Sequence, residues 1–196
     1  MNPGDGGRLI DCISGKLLTT TESLEMHAEG RDAAVLIPLR VQDDGSITVV
    51  FTKRRDDLPT HAGQISFPGG RADPGDPDRV ATALRESFEE LEIPVDAVDV
   101  IGALEPMSTY ISDFAVYPVV GLVDAALPLV PHPGEVDAVF EVDLRSLHAG
   151  REKRQMHRAG MTFTTEAFDT HGGLVWGVTG YILGRLFDRI GSCLER

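Results

Sequence analysis

The chain has 196 residues, 42% hydrophobic and 25% charged, the composition of a globular protein long enough to bury a sizeable core in one domain. Its formal net charge of -13 argues against a nucleic-acid backbone or an anionic membrane as partner. The same charge repels a polyphosphate, so a phosphate-bearing substrate would need local cations, a divalent metal or a group of arginines, at its site.

The only cysteines, Cys12 and Cys193, lie near opposite ends at a spacing that suggests neither a disulfide scaffold nor a zinc site, so a reducing cytoplasm is the expected compartment. There is no charged-then-apolar leader and no apolar run long enough to span a bilayer, so a soluble intracellular protein is expected. Residues 1–30 begin glycine-rich and continue through Leu9-Ile10-Asp11-Cys12-Ile13, which reads as an amino-terminal arm or a short helix, with an oligomer contact left open. Residues 31–196 read as the remaining domain, without internal repeat or linker.

Ala33 to Leu39 is a compact apolar run of the kind a buried strand shows, Asp43-Asp44-Gly45-Ser46 is a turn, and Ile47 to Phe51 completes a hairpin. A glycine pair, Gly69-Gly70, reads as a turn, and Asp76-Pro77 reads as a helix start with Asp as the cap and Pro at the first helical position. Pro94 ends that helix, because it disfavours helical dihedrals at Ile93 and lacks an N–H, so the helix is expected from about Pro77 to Leu91. After it, 98–104 and 115–123 read as strands, Ser108 to Asp113 as a polar loop, Pro128 to Gly134 as a proline-rich loop, 136–142 as a strand and Leu144 to Leu147 as a helical turn. Arg154 to Phe168 reads as a hairpin turning at Ala159-Gly160. Apolar residues at 178, 182, 183, 186, 187 and 190 have a helical period and predict a carboxy-terminal helix to Leu194. Strands interleaved with helices predict a mixed sheet with helices on its faces, an α+β fold.

On the central helix Glu86, Glu89 and Glu90 stand at i, i+3 and i+4, so three carboxylates share a face and can converge on a point. Ala81, Leu84, Phe88 and Leu91 fall mostly on another face and are expected to be buried. Hard oxygen ligands at that density suit magnesium or manganese. A solvated helix face is the plainer reading of such charges, but a glycine pair, a capped helix and Arg-Glu-x-x-Glu-Glu in order at fixed spacing form a more specific pattern.

Gly70 to Glu90, with Arg85-Glu86-Ser87-Phe88-Glu89-Glu90, resembles the Nudix box, the loop-helix-loop motif of hydrolases that cleave nucleoside diphosphates linked to another group. The upstream run Phe51-Thr52-Lys53-Arg54 to Leu58, followed by His61-Ala62-Gly63-Gln64-Ile65-Ser66-Phe67-Pro68-Gly69-Gly70, resembles the signature of the coenzyme A pyrophosphatase branch. That branch also has one more residue between the glycine and Arg-Glu than the general box, and an Asp-x-x-Asp pair like Asp73 and Asp76. Ser112 to Val120 and Val175 to Thr179 resemble further family stretches, so the resemblance covers roughly residues 32–184. The chain departs from the branch at Arg55, where a small residue is usual, at Pro59, where an arginine is usual, and at Glu92, which replaces a glycine near the end of the box.

The resemblance implies a Nudix fold, with a mixed β-sheet sandwiched between α-helices, and a magnesium- or manganese-dependent pyrophosphohydrolase. Its implied substrate is coenzyme A or acyl-coenzyme A, giving adenosine 3',5'-bisphosphate and a phosphopantetheine. Cleaving a diphosphate requires cations to neutralise developing charge and a water held in line. Glu86, Glu89 and Glu90 are the metal-ligand candidates, and the resemblance adds the backbone carbonyl of Gly70. Gly69 and Gly70 also allow the backbone to approach metal or phosphate closely. Arg85 is implied to orient a carboxylate of the cluster, which its rigid fork suits. Glu86 and Glu135 are both candidates for the general base, although Glu135 reads more simply as an exposed residue after Pro133-Gly134. Arg54 and His61 are substrate-binding candidates, Arg55 reads as a surface residue and Trp176 as core. The partner is a small-molecule nucleotide, with homodimerisation left open. The alternatives are a sister hydrolase of NADH, ADP-ribose or a nucleoside triphosphate, a catalytically silent nucleotide-binding module of the same fold, and a purely structural protein.

Overall fold

The computed structural model describes residues 3–57, 62–109, 113–158 and 160–195. Two helices, α1 (Pro3–Ser14) and α2 (Thr20–Glu25), precede the hairpin β1 (Arg31–Val41) and β2 (Ile47–Arg54). Short strands β3 (Ile65–Ser66) and β4 (Gly69–Arg71) lead into α3 (Arg79–Leu91), followed by β5 (Val98–Ala103), β6 (Met107–Ser108) and β7 (Phe114–Val123). The chain continues through β8 (Val136–Asp143), α4 (Leu144–Ala149), β9 (Glu152–Arg158), β10 (Met161–Thr170), β11 (Gly173–Val175) and α5 (Gly177–Leu194). Residues 3–30 thus contain two helical segments, α1 and α2.

The main sheet has the order β3-β2-β1-β7-β5, with β4 paired to β1, β6 to β7 and β8 to β2. It is mixed, because β1 and β7 run parallel from Arg31 opposite Phe114 to Leu39 opposite Leu122, whereas β1 and β2 are antiparallel. Both faces of β1 are covered, which is why it reads as an unbroken apolar run. Ala33, Ile37 and Leu39 join a core with Leu9, Ile10 and Ile13 of α1 and Ile182, Leu183, Leu186 and Phe187 of α5. Ala34 and Leu36, pointing the other way, pack with Ala83 of α3 and with Ala115, Tyr117 and Val119 of β7. The sheet is therefore sandwiched between α3 on one side and α1 and α5 on the other.

A second, three-stranded antiparallel sheet, β9-β10-β11, was not expected beyond its hairpin. Trp176, expected in the core, is half-buried just before α5, with its ring 6.3 Å from that of Phe163. A larger correction concerns the cysteines. Cys12 of α1 and Cys193 of α5 form a disulfide across 181 residues of sequence, with Cα atoms 5.9 Å apart. Packing of the first and last helices side by side brings them together, and the premise for expecting a reducing compartment falls with it. No helix among the described residues is long and apolar enough to cross a membrane.

Candidate active site

The site is built on α3, and its start differs from expectation. Asp78, not Asp76, caps the helix, its side chain accepting from the Ala81 N–H at 2.8 Å, and Pro77 precedes the cap. Asp76 is thereby free for another task. Its two carboxylate oxygens accept from Nε and Nη2 of Arg85 at 3.0 and 3.1 Å, and it also takes the Thr82 hydroxyl at 2.8 Å. The Arg85 guanidinium holds the Asp76 carboxyl far below the usual carboxylate range.

The same guanidinium donates through Nη1 to Glu86 at 3.0 Å and to Glu89 at 3.1 and 3.2 Å, and through Nη2 to the Arg71 carbonyl at 2.9 Å. Arg85 is thus a fixed fork that ties the loop before α3 to two carboxylates on it. It also breaks up the expected three-carboxylate convergence, because Glu89 is drawn to the arginine and stays exposed. No group of three His, Cys, Asp or Glu side chains among the described residues is arranged to hold a metal ion.

The faces of α3 are also distributed differently. Ala83, Ser87, Glu90 and Leu91 are buried, whereas Phe88, expected inside, is 52% exposed. Glu90 therefore lies on the packed side of the helix at 5% exposure, and its Oε2 has no hydrogen-bond partner among the described residues. Burial pushes its carboxyl up to about 8; the nearby charges of Glu86 and Glu135 add to this, and Arg54 and the backbone of Gly69 oppose it. Burial raises the Glu86 carboxyl as well, against Arg85, with Glu89 and Glu135 adding to the rise.

The glycine pair forms strand β4 rather than a turn. It pairs with β1, Ala34 opposite Gly70 and Val35 opposite Gly69. A side chain at Gly69 would run into the β1 backbone, its Cβ 2.4 Å from the Ala34 carbonyl oxygen and 2.6 Å from Val35 Cα. A Cβ at Gly70 would lie 2.4 to 2.6 Å from the Glu86 carboxyl atoms, so the missing side chain is what lets Glu86 rest against this strand.

Arg54 ends β2, where the pairing with β8 slips by one residue between Lys53 and Arg54. Beyond that bulge its Nη1 lies 3.7 Å from Glu90 Oε1. Arg55 is tied down by Asp57, at 2.6 and 2.8 Å, and by the Pro133 carbonyl at 2.6 Å, consistent with a surface role. Glu135 is exposed, yet its charge reaches both Glu86 and Glu90, because residues 128–135 run along the end of α3. The His132 N–H donates to the Glu90 carbonyl at 2.8 Å and the Arg55 N–H to the Glu135 carbonyl at 3.1 Å. His61 and Pro59 lie outside the described residues. Asp76 is the residue whose place in the site was missed, because an Asp before a proline also reads as a helix cap.

A buried, unpartnered carboxylate oxygen beside a second carboxyl of raised pKa is a donor set that a hard cation would satisfy. The residues present therefore fit a divalent metal, with Glu86 and Glu90 as the better placed ligands and Glu89 available only by leaving Arg85.

The model of the NUDIX domain family matches residues 30–162, and the chain belongs to this family. It is a Nudix hydrolase, a class that acts on pyrophosphate bonds, binds small nucleotide substrates and generally requires a divalent metal such as magnesium. It is 38% identical over 172 residues to the Nudix hydrolases NudL of Yersinia pestis (strain Pestoides F) and of Yersinia pseudotuberculosis serotype O:1b (strain IP 31758), covering 87% of this chain and 85% of each relative. Among solved structures, a MutT/nudix family protein from Enterococcus faecalis superposes with a TM-score of 0.52 at 14% identity, covering 86% of this chain and 65% of that one. That likeness speaks for the fold alone.

Proposed function

We propose that this Nudix hydrolase cleaves the diphosphate of coenzyme A or an acyl-coenzyme A, giving adenosine 3',5'-bisphosphate and a phosphopantetheine, with magnesium or manganese as cofactor. The observation that carries the metal-dependent chemistry is Glu90, a buried carboxyl with an orphaned oxygen that feels the charges of Glu86 and Glu135. The branch signature from Phe51 to Gly70 supports the choice of substrate.

A divalent cation bound at this face would neutralise charge developing on the diphosphate and ease deprotonation of the attacking water. Glu86 and Glu90 would hold it, with the Gly70 carbonyl added on the resemblance, while Gly69 lets β4 sit close on β1. Asp76 fixes Arg85, and Arg85 orients Glu86 and Glu89. Glu86, held by Arg85 and packed on Gly70, is suited to ligation. Glu135, exposed and close enough to influence both acids, is left to take the proton from the attacking water. Arg54 is available for a phosphate of the substrate, and His61 is assigned the neighbouring contact on the branch signature.

One observation favours a sister substrate, NADH, ADP-ribose or a nucleoside triphosphate. Arg55 is engaged by Asp57 and Pro133, and Pro59 removes a cation from the part of the signature linked to coenzyme A. Mass analysis of the products after incubation with magnesium and each candidate decides between them. Adenosine 3',5'-bisphosphate from coenzyme A, faster than turnover of the others, is the expected result. Preference for NADH or ADP-ribose would discard the coenzyme A assignment.

A further inference from the structure

The site contains two arginines held in very different ways. The five N–H groups of Arg85 make six hydrogen-bond contacts of 2.9 to 3.2 Å, to Asp76, Glu86, Glu89 and the Arg71 carbonyl, with the two Nη1 hydrogens shared among three carboxylate oxygens, and the guanidinium cannot leave without breaking that network. Arg54 instead faces Glu90 across 3.7 Å, beyond hydrogen-bond distance, with its side chain 26% exposed against 6% for Glu90. It stands at the end of β2, where the paired strand β8 skips one residue, Asp137, between the partners of Lys53 and Arg54.

We infer that Arg54 is an exchangeable counter-ion: it compensates Glu90 while the site is empty, gives up that carboxylate when a divalent cation enters, and transfers its charge to a phosphate of the arriving substrate. This rests on the metal-ligand reading of Glu90 above. A guanidinium that makes no hydrogen bond to its partner suits the exchange, since little is lost when it departs. It accounts for a positive side chain aimed at a carboxylate that the metal also needs. Arg85 could not serve, because its release would unseat Glu86 and Glu89 together.

The test is Mn2+ binding to the purified full chain without substrate at pH 8.5, where the Glu90 carboxyl is largely ionised, followed by electron paramagnetic resonance, in the native protein and in Arg54→Gln, Arg54→Lys and Arg55→Gln. Arg54→Gln removes the competitor and should tighten Mn2+ binding by about an order of magnitude, whereas Arg54→Lys keeps a competing charge and stays near the native value. Arg55→Gln deletes the neighbouring charge, which is not aimed at the cluster, and should change the affinity by less than about twofold. The same Arg54→Gln protein should show a raised KM for whichever diphosphate the native enzyme turns over, partly restored in Arg54→Lys. Unchanged or weaker Mn2+ binding in Arg54→Gln would overturn the inference while leaving the metal site standing. Tighter binding with unaltered KM would overturn the transfer to substrate. If the native protein bound no Mn2+, the metal reading itself would fall and the inference with it.

Discussion

Replacing Glu90 by glutamine should make the metal-free protein more stable at alkaline pH, although it removes a residue central to the proposed chemistry. The Glu90 carboxyl has an ordinary value of 4.5 in an unfolded chain and about 8 in the folded one, because it is 5% exposed. An acid whose folded pKa is raised destabilises the fold wherever the unfolded chain has already ionised. The penalty is absent below pH 4.5, grows as pH rises, and is complete above about pH 8. At about 1.4 kcal/mol per pH unit this interval corresponds to at most about 5 kcal/mol. The amide in Glu90→Gln is itself imperfectly satisfied, at a cost of about 1–2 kcal/mol, so the net gain near pH 8 is about 3 kcal/mol. Urea denaturation of both proteins in a chelating buffer, from pH 5 to 8.5, measures it. The native protein should lose stability relative to the variant as pH rises, and magnesium should narrow or reverse the difference by stabilising only the chain that binds it. Parallel pH profiles for the two proteins would refute the burial argument.

Three other perturbations separate the parts of the site from the frame. Gly70→Ala places a methyl where the Glu86 carboxyl rests and should cut turnover by about 10²-fold while shifting the thermal midpoint by only a few degrees; near-native turnover would mean that Glu86 need not rest on that strand. Asp76→Asn frees Arg85 and should cost about 2–4 kcal/mol in urea as well as lowering kcat, with Asp76→Glu recovering part of both; an unaffected kcat would make the Asp76–Arg85 pair purely structural. Reducing the Cys12–Cys193 bond, or Cys193→Ser, opens a loop of 181 residues and should lower stability by up to about 5 kcal/mol, read as a lower thermal midpoint under dithiothreitol, whereas identical midpoints would argue against the bond in solution.

The elements that sequence periodicity revealed are those whose burial is continuous. β1 and β7 are covered on both faces, and α5 buries a clean 3.6-residue stripe, so their apolar patterns are unbroken. The two- and three-residue strands β3, β4, β6 and β11 carry no period at all, and β4 hid behind a glycine pair that also suits a turn. On α3 the polarity pattern misled, because the stripe packed on the sheet is small and polar, Ala83, Ser87 and Glu90, and leaves Phe88 outside. A buried glutamate is costly, and nothing in its own residue type announces it. Glu92 ends α3 in the left-handed conformation, at φ 55°, where the glycine usual in the box would sit without strain. The role of Asp76 and the nearness of Glu135 depend on where two loops return to α3. The disulfide depends on two helices meeting from opposite ends of the chain. Both are tertiary facts without a local signal.

Magnesium-dependent hydrolysis at the Glu86 and Glu90 face is the central claim. The deciding measurement is the initial rate of coenzyme A cleavage by the native chain and by Glu86→Gln, each in chelator and in saturating magnesium. The account predicts turnover only for the native chain and only with magnesium. Equal rates in chelator, or an undiminished rate in Glu86→Gln, would contradict it.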